Sequence, residues 1–447
     1  MNSPVTLPLW LFALVLLFAA VSFATHFLFP SVRWILRRRM ERAVERLNKR
    51  LERPIEPFRL LRRYDLIQRL LYHPEVTSAI VEQANETGDR EDVLFQRARR
   101  YANEIVPSFS AFTYFGLGLR LASWLSNALY RVRLGHHDEE ALRSIPPEAT
   151  VIFVMNHRSN MDYVLVTHLA ANRSALSYAV GEWAQVWPLS QLIRSMGAYF
   201  IRRKSRDGLY RNVLRRYVHM STNGGVTQAI FPEGGLSLDG AIARPKFGLL
   251  TYILEDLDLA VRDVVFVPVG LNYDRVLEDR VLVKAGQTGT RRFDASVTRV
   301  IRAVLHQGWL RITGRFHRFG YAAVSFGKPL SMRENPGLQE QPDDLADTLM
   351  GRIAEIIPVL PVPLVAHILA TGPQSRTQLE AAVGAQVEEL HAAHVHLPEG
   401  SPALAVELAL RALIGRGIAQ DNEGVVSLTP DGAPIAAYYA RSIAHFM

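Results

Sequence analysis

The apolar positions of this chain change rhythm three times. From Leu7 to Phe29 the run LPLWLFALVLLFAAVSFATHFLF holds no Asp, Glu, Lys or Arg in 23 residues. A helix rising about 1.5 Å per residue crosses a bilayer core over such a length, with some tilt. A retained transmembrane anchor is therefore predicted for residues 1–30, with a buried helix of a soluble protein as the alternative. Residues 1–6 lack the positive side chain that opens a cleaved signal peptide. Residues 31 to about 135 then read as helical: RRRMERAVERLNKRLER pairs opposite charges at i,i+4. Within this stretch SFSAFTYFGLGLRLASWLSNALY (Ser108–Tyr130) is apolar and aromatic with one charge, Arg120. As a second span it would bury that charge at about 2.5–3.5 kcal/mol, so an interfacial helix, or one packed on the next domain, is expected.

From about Pro146 the rhythm shortens to β-rich runs alternating with helical ones. The runs are TVIFVM, GAYFIR, VTQAIFP, VVFVPVGLNY and AAVSFGKPL. This predicts an α/β domain with a mixed sheet flanked by helices. Pro268 inside VVFVPVGLNY argues for a strand at a pocket edge rather than a central one. A Pro-rich stretch, IIPVLPVPLV, marks a hinge near residue 360. Beyond it, two helices, a hairpin wing and a final helix suggest a small winged-helix-like α+β domain. The predicted organisation is an anchor (1–30), a helical basic membrane-proximal region (31–140), an α/β domain (141–355) and a C-terminal domain (356–447).

Charge locates the partners. Between Ser31 and Arg63 there are twelve Lys and Arg against four Glu, which accounts for the whole formal excess of +8. The patch follows the apolar run, so the positive-inside tendency directs residues 31 onward to the cytoplasm. It would also attract anionic lipid, at about 1 kcal/mol per basic residue. A winged-helix tail often binds DNA, but from Gln374 to Met447 this one carries four arginines and no lysine. That argues against a phosphate-binding surface for nucleic acid. The chain has no Cys, which excludes disulfides, thiolate metal sites and a Cys nucleophile.

Candidate chemistry concentrates in VIFVMNHRSNMDYVLVTHLA (Val151–Ala170), where a strand ends at Asn156-His157 and a helix begins. Ser159-x-x-Asp162 fits a capping pattern, with Ser159 as N-cap and Asp162 in the first turn. Capping explains Asp162 but not His157. A strand end opening into a helix is where α/β folds expose reactive groups. There, His157 can act as general base, and Asp162 can hold its tautomer and balance the imidazolium. Three further stretches have the same strand-end character. GAYFIRRKS carries Arg202 and Arg203, a phosphate clamp or a solvated turn. AIFPEGGLS exposes Glu233 in a tight turn, and VVFVPVGLNY is the third.

In this order the blocks resemble the HX4D acyltransferase superfamily, whose members acylate glycerol phosphates at membranes. His157-Arg158-Ser159-Asn160-Met161-Asp162-Tyr163 matches its first block in full, and Gly-x-x-Phe-Ile-Arg-Arg its second. Phe200-Ile201-Arg202-Arg203, Leu209-Tyr210, Glu233-Gly234-Gly235 and Pro245-Lys246-x-Gly248 are more particularly similar to the bacterial membrane-bound glycerol-3-phosphate 1-O-acyltransferases, as is the ending YYARSIAHFM. The resemblance covers about residues 95–447. It implies direct transfer of a fatty acyl group from acyl-CoA or acyl-carrier protein to glycerol 3-phosphate, giving lysophosphatidate. His157 and Asp162 would be catalytic, with Arg202, Arg203, Glu233, Gly234, Arg244 and Lys246 at the substrate. Amides near Gly234 and Gly235 would receive the oxyanion. No cofactor or metal is implied. The implied location is the cytoplasmic face of the bacterial inner membrane, anchored by residues 7–29.

One position departs from the pattern. The family's Glu-Gly-x-Arg-Ser has Leu236 where the Arg belongs, and Leu238 at the next common Arg. Either Arg202, Arg203, Arg244 and Lys246 cover that loss, or the acceptor is another one, such as lysophosphatidate, dihydroxyacetone phosphate or another lysolipid. A non-catalytic membrane scaffold is the remaining alternative. A serine hydrolase is disfavoured because Gly235-Leu236-Ser237-Leu238-Asp239 lacks the second Gly of a nucleophile elbow. His391-x-x-His394-x-His396 reads as surface histidines rather than a metal site.

Overall fold

The computed structural model describes residues 8–23, 29–170, 174–202, 205–289, 319–390 and 394–447. The chain forms two compact units, Met1–Ile55 and Glu56–Met447. The first contains helices at Leu9–Phe23 and Phe29–Asn48. The latter carries the expected i,i+4 pairing, with Glu45 and Lys49 at 3.8 Å. Among the described residues no helix is long and apolar enough to cross a membrane. Residues 1–7 and 24–28, which fall within the predicted anchor, lie outside that description.

The second unit is built on an eight-stranded sheet. Its strands are β1 (Arg131–His137), β2 (Thr150–Met155), β3 (Ser177–Gly181), β4 (Tyr199–Ile201), β5 (Gln228–Ile230), β6 (Val264–Tyr273), β7 (Tyr321–Phe326) and β8 (Leu330–Ser331). The order is β1-β7-β6-β2-β5-β3-β4, with β8 also pairing β6. Strands β2 to β6 run parallel, while β7 and β8 are antiparallel to β6. The mixed sheet read from the sequence is therefore present. Helices end at Leu129, however, and residues 131–137 form a strand parallel to β7 rather than continuing the helical region.

The apolar runs of β2 and β6 are continuous because both faces of the sheet are covered. Alternate residues serve opposite cores. Val151, Phe153 and Met155 pack with Leu165 and Val166 of the Met161–Leu169 helix and with helices of the C-terminal region. Ile152 and Val154 pack with Leu94 and Ala98, and with Val213 and Leu349, on the other side. Pro268 lies in a central strand, paired with Val154 on the β2 side, and not at an edge. Its carbonyl accepts from Gly327 at 2.8 Å. On that flank the partner of β6 changes from β8 (at Val265–Phe266) to β7 (at Val269–Tyr273). A residue without an N–H costs no ladder bond at such a crossing.

C-terminal to Pro361–Leu369 come the helices Arg376–Glu389 and Pro402–Gly415, a three-stranded sheet and the helix Ala433–Arg441. That sheet joins β9 (Gln374–Ser375), β10 (Ala419–Asn422) and β11 (Val425–Leu428). The β10–β11 turn is Glu423-Gly424, with φ of 54° and 85°, the geometry of a two-residue hairpin loop.

Candidate active site

Parallel strands align their carboxyl ends, and the motifs collect there because each follows such an end. His157 comes two residues after β2, Glu233 three after β5, and Tyr273 closes β6. Asn156 fixes the exit of β2: its amide donates to Leu271 O at 2.9 Å and accepts from Leu271 N at 2.8 Å. It thus continues the β2–β6 ladder by one side chain.

His157 and Asp162 are brought together, with His157 Nδ1 2.9 Å from Asp162 Oδ2. Both are sealed from solvent, at 1% and 0% exposure. The same Oδ2 accepts from the main-chain N–H of Arg158 (2.7 Å) and Ser159 (3.0 Å). Oδ1 accepts from the Tyr273 hydroxyl at 2.6 Å. Burial and the neighbouring Asp162 hold that phenol well above its ordinary range. The imidazole stacks on Phe231 at 4.0 Å and meets the edge of Tyr163 at 5.6 Å.

The predicted cap is displaced by one residue. Asn160, not Ser159, precedes the first helical turn. Ser159 Oγ accepts from Met161 N at 3.1 Å and donates to Glu278 Oε2 at 2.8 Å. Glu278 Oε1 accepts from Asn160 N and Nδ2 at 3.3 and 3.0 Å. Burial raises the Glu278 carboxyl above its ordinary value.

Glu233 is buried, and both its oxygens meet main-chain donors: His157 N at 2.8 Å and Ala243 N at 3.1 Å. Burial, only partly offset by those two bonds and Arg158, leaves its carboxyl raised to about 7. Gly234 turns the chain at φ 66°, where a Cβ would meet the Lys246 side chain at 2.7 Å. Its N–H donates to Phe231 O at 3.0 Å, so this amide is spent in the turn rather than held for an oxyanion. Arg244 and Lys246 are exposed on the same loop. Leu236 and Leu238 pack half-buried against the core. Ser237 Oγ donates to Ala241 O at 2.8 Å and is not paired with the imidazole.

Arg202 is held elsewhere. Its guanidinium forms a two-point pair with Glu104 (Nε–Oε1 2.8 Å, Nη2–Oε2 2.5 Å) and lies over the rings of Tyr101 and Tyr210. The pair raises its pKa further. Arg203 lies outside the described residues. Among the described residues no His, Asp and Glu side chains group as a metal site; His391 is not among them. Sequence reasoning missed Asn156, Tyr273 and Glu278. Only Asn156 carried a local signal, as the polar residue next to His157 at a strand end.

Residues 134–272, which carry this site, match the family model described as Acyltransferase. Residues 307–447 match that of the glycerol-3-phosphate acyltransferase C-terminal region. The chain joins these two parts and is similar over most of its length to curated glycerol-3-phosphate acyltransferases. The protein of that name from Aeromonas hydrophila is 28% identical over 411 residues, covering 85% of this chain and 49% of its own. That from Ectopseudomonas mendocina is 30% identical over 421 residues, covering 86% and 49%. The chain thus spans about half the length of the curated relatives it matches. A crystal structure of the 1-acyl-sn-glycerophosphate (LPA) acyltransferase PlsC from Thermotoga maritima covers 66% of this chain and 96% of its own, at 17% identity and a TM-score of 0.31, an overlap too low to bear on the site.

Proposed function

We propose that the chain catalyses direct acyl transfer from a thioester, acyl-CoA or acyl-carrier protein, to the 1-hydroxyl of glycerol 3-phosphate. The observation that carries this reading is the buried His157–Asp162 pair at 2.9 Å, inside a match to the acyltransferase family. His157 Nε2 takes the hydroxyl proton as the oxygen attacks the thioester carbonyl. The tetrahedral intermediate collapses with loss of the C–S bond, and the imidazolium returns its proton to the departing thiolate. The products are lysophosphatidate and the free thiol. Asp162 orients the imidazole and offsets its charge. A base placed in this way contributes about 10²- to 10⁴-fold. No cofactor or metal enters the steps.

Glu233 acts by holding the main chain of His157 against the 233–246 loop. Gly234 lets the Lys246 side chain cross it, and Arg244 and Lys246 supply positive charge for the acceptor phosphate on that loop. Arg203 joins them, and Arg202 does so on release from Glu104. The Leu7–Phe29 run and the basic block after it support attachment to an anionic membrane, at its cytoplasmic face. Residues 356–447 are read as a winged-helix-like module serving the enzyme, since their few basic residues argue against nucleic acid.

The test is a panel. Purified full-length protein in detergent receives long-chain acyl-CoA or acyl-carrier protein with glycerol 3-phosphate, lysophosphatidate or dihydroxyacetone phosphate, and products are read by mass spectrometry. Lysophosphatidate made from glycerol 3-phosphate supports the reading. Turnover with another acceptor alone keeps the chemistry and rejects the substrate.

A further inference from the structure

Glu278 stands at the entrance of the Asp279–Thr288 helix, where a carboxylate would ordinarily cap local amides. Its side chain makes no such bond. It reaches instead across 119 residues of sequence to Ser159 Oγ, and its second oxygen takes both donors of Asn160. Ser159 and Asn160 are the middle of the turn between His157 and Asp162, so one carboxylate grips the segment that sets the distance between the pair.

The residue next to Glu278 is gripped in turn from the far end of the chain. Asp279 Oδ2 accepts from Tyr439 Oη at 2.5 Å and from Arg416 Nη2 at 2.5 Å. Tyr439 Oη also accepts from Val276 N at 3.0 Å and from Arg416 Nη1 at 3.2 Å. Its neighbour Tyr438 donates to Arg158 O at 3.4 Å and lies under the Arg158 guanidinium at 4.9 Å. A Cβ on Gly240 would sit 1.8 Å from Tyr438 O. The Ala433–Arg441 helix therefore touches the catalytic turn, the segment that holds it and the loop after Glu233.

We infer that Glu278 is a positioning residue for the catalytic turn, kept in register by the C-terminal helix through Tyr439 and Asp279. The inference rests on the acyl-transfer reading for its catalytic consequence and on geometry alone for its structural one. It gives the C-terminal region a task in chemistry rather than in binding. Acceptor and donor meet other residues, so losing the grip lowers kcat and leaves KM in place. Misplacing a reacting group by about 1 Å costs on the order of 10²-fold.

The test uses the full chain carrying Glu278→Ala, Glu278→Gln, Tyr439→Phe and the Glu278→Ala/Tyr439→Phe double substitution. Glu278→Ala is expected to lower kcat by about 10- to 100-fold at unchanged acceptor KM. Tyr439→Phe should do the same to a lesser degree. Glu278→Gln should recover most of the loss, because its carbonyl accepts from Asn160 and Ser159 Oγ can turn to accept from its amide. Since both residues act through one grip, the double variant should be no worse than Glu278→Ala. Multiplying effects, or an unchanged kcat in Glu278→Ala, would overturn the inference. A second readout is independent of turnover: the rate at which diethyl pyrocarbonate modifies His157, followed by peptide mass spectrometry. It should rise severalfold in Glu278→Ala and Tyr439→Phe but not in Glu278→Gln; equal rates in all of them reject the grip. Should the wild-type chain transfer no acyl group, that refutes the acyl-transfer reading, and the modification rates still decide this one.

Discussion

The Tyr273 hydroxyl donates to Asp162 Oδ1 at 2.6 Å while Oδ2 of the same carboxylate faces His157. One strand end thus holds the carboxylate from behind while another presents the imidazole. Tyr273→Phe keeps the ring and opens no cavity, so its effect isolates the bond. Hydrogen bonds to a charged group contribute about 1.5–3 kcal/mol to stability, so the loss should lower the melting temperature and, by freeing the carboxylate that holds His157, lower kcat as well. Steady-state kinetics beside thermal unfolding check this.

Asp162→Asn separates charge from shape. The amide oxygen can take the Oδ2 position and accept from His157, Arg158 and Ser159, and the amide nitrogen can donate to Tyr273, whose oxygen also accepts. The fold should survive with near-native unfolding behaviour. The imidazolium loses its counter-charge, and kcat should fall by about 10²- to 10⁴-fold. Circular dichroism and turnover on the same preparation test both halves.

Two buried carboxyls set a pH dependence of stability. Burial raises both Glu233 and Asp274 to about 7. In the unfolded chain both release their protons near pH 4. Between about pH 4 and 7 the folded state holds more protons, so stability is greatest below that window and falls as pH rises through it. Asp274→Asn should flatten part of that decline. It should also lower the baseline by about 1–3 kcal/mol, because Asp274 accepts from Tyr321 N and Val362 N and an amide nitrogen would face one of them. Urea midpoints at pH 4.5, 6 and 7 give the slope.

Gly240 has φ of 91°, and a Cβ on it would lie 1.8 Å from Tyr438 O. An alanine there costs about 1–2 kcal/mol in backbone strain, and the clash with the carbonyl adds to it. Gly240→Ala should lower the melting temperature and expose the C-terminal helix to limited proteolysis earlier than in the wild type.

The sequence was most readable where burial and periodicity agree. Strands β2 and β6 stand out because covered faces make unbroken apolar runs, and the β10–β11 hairpin because Asn-Glu-Gly marks its turn. The edge strand β1, RVRLGHH, did not stand out: six of its seven residues are not buried, so its charges interrupt any alternation. Pro268 misled because the rule against proline in central strands assumes a continuous partner on both flanks. At the site, the pairing of His157 and Asp162 was legible, because a single turn between a strand end and a helix start brings them together, although the spacing also fitted a helix cap. Tyr273 and Glu278 were not, because they reach that turn from 111 and 119 residues away. Arg202 had the same difficulty in reverse: its partner Glu104 lies 98 residues back, and nothing near FIRR announces it.

One rate tests acyl transfer by His157 most directly: thiol release from acyl-CoA that depends on glycerol 3-phosphate, measured for the wild-type chain and for His157→Ala at equal folded concentration. The expected result is acceptor-dependent release by the wild type, lowered by about 10²- to 10⁴-fold in the variant. Release that is independent of the acceptor, or equal in both proteins, would contradict it.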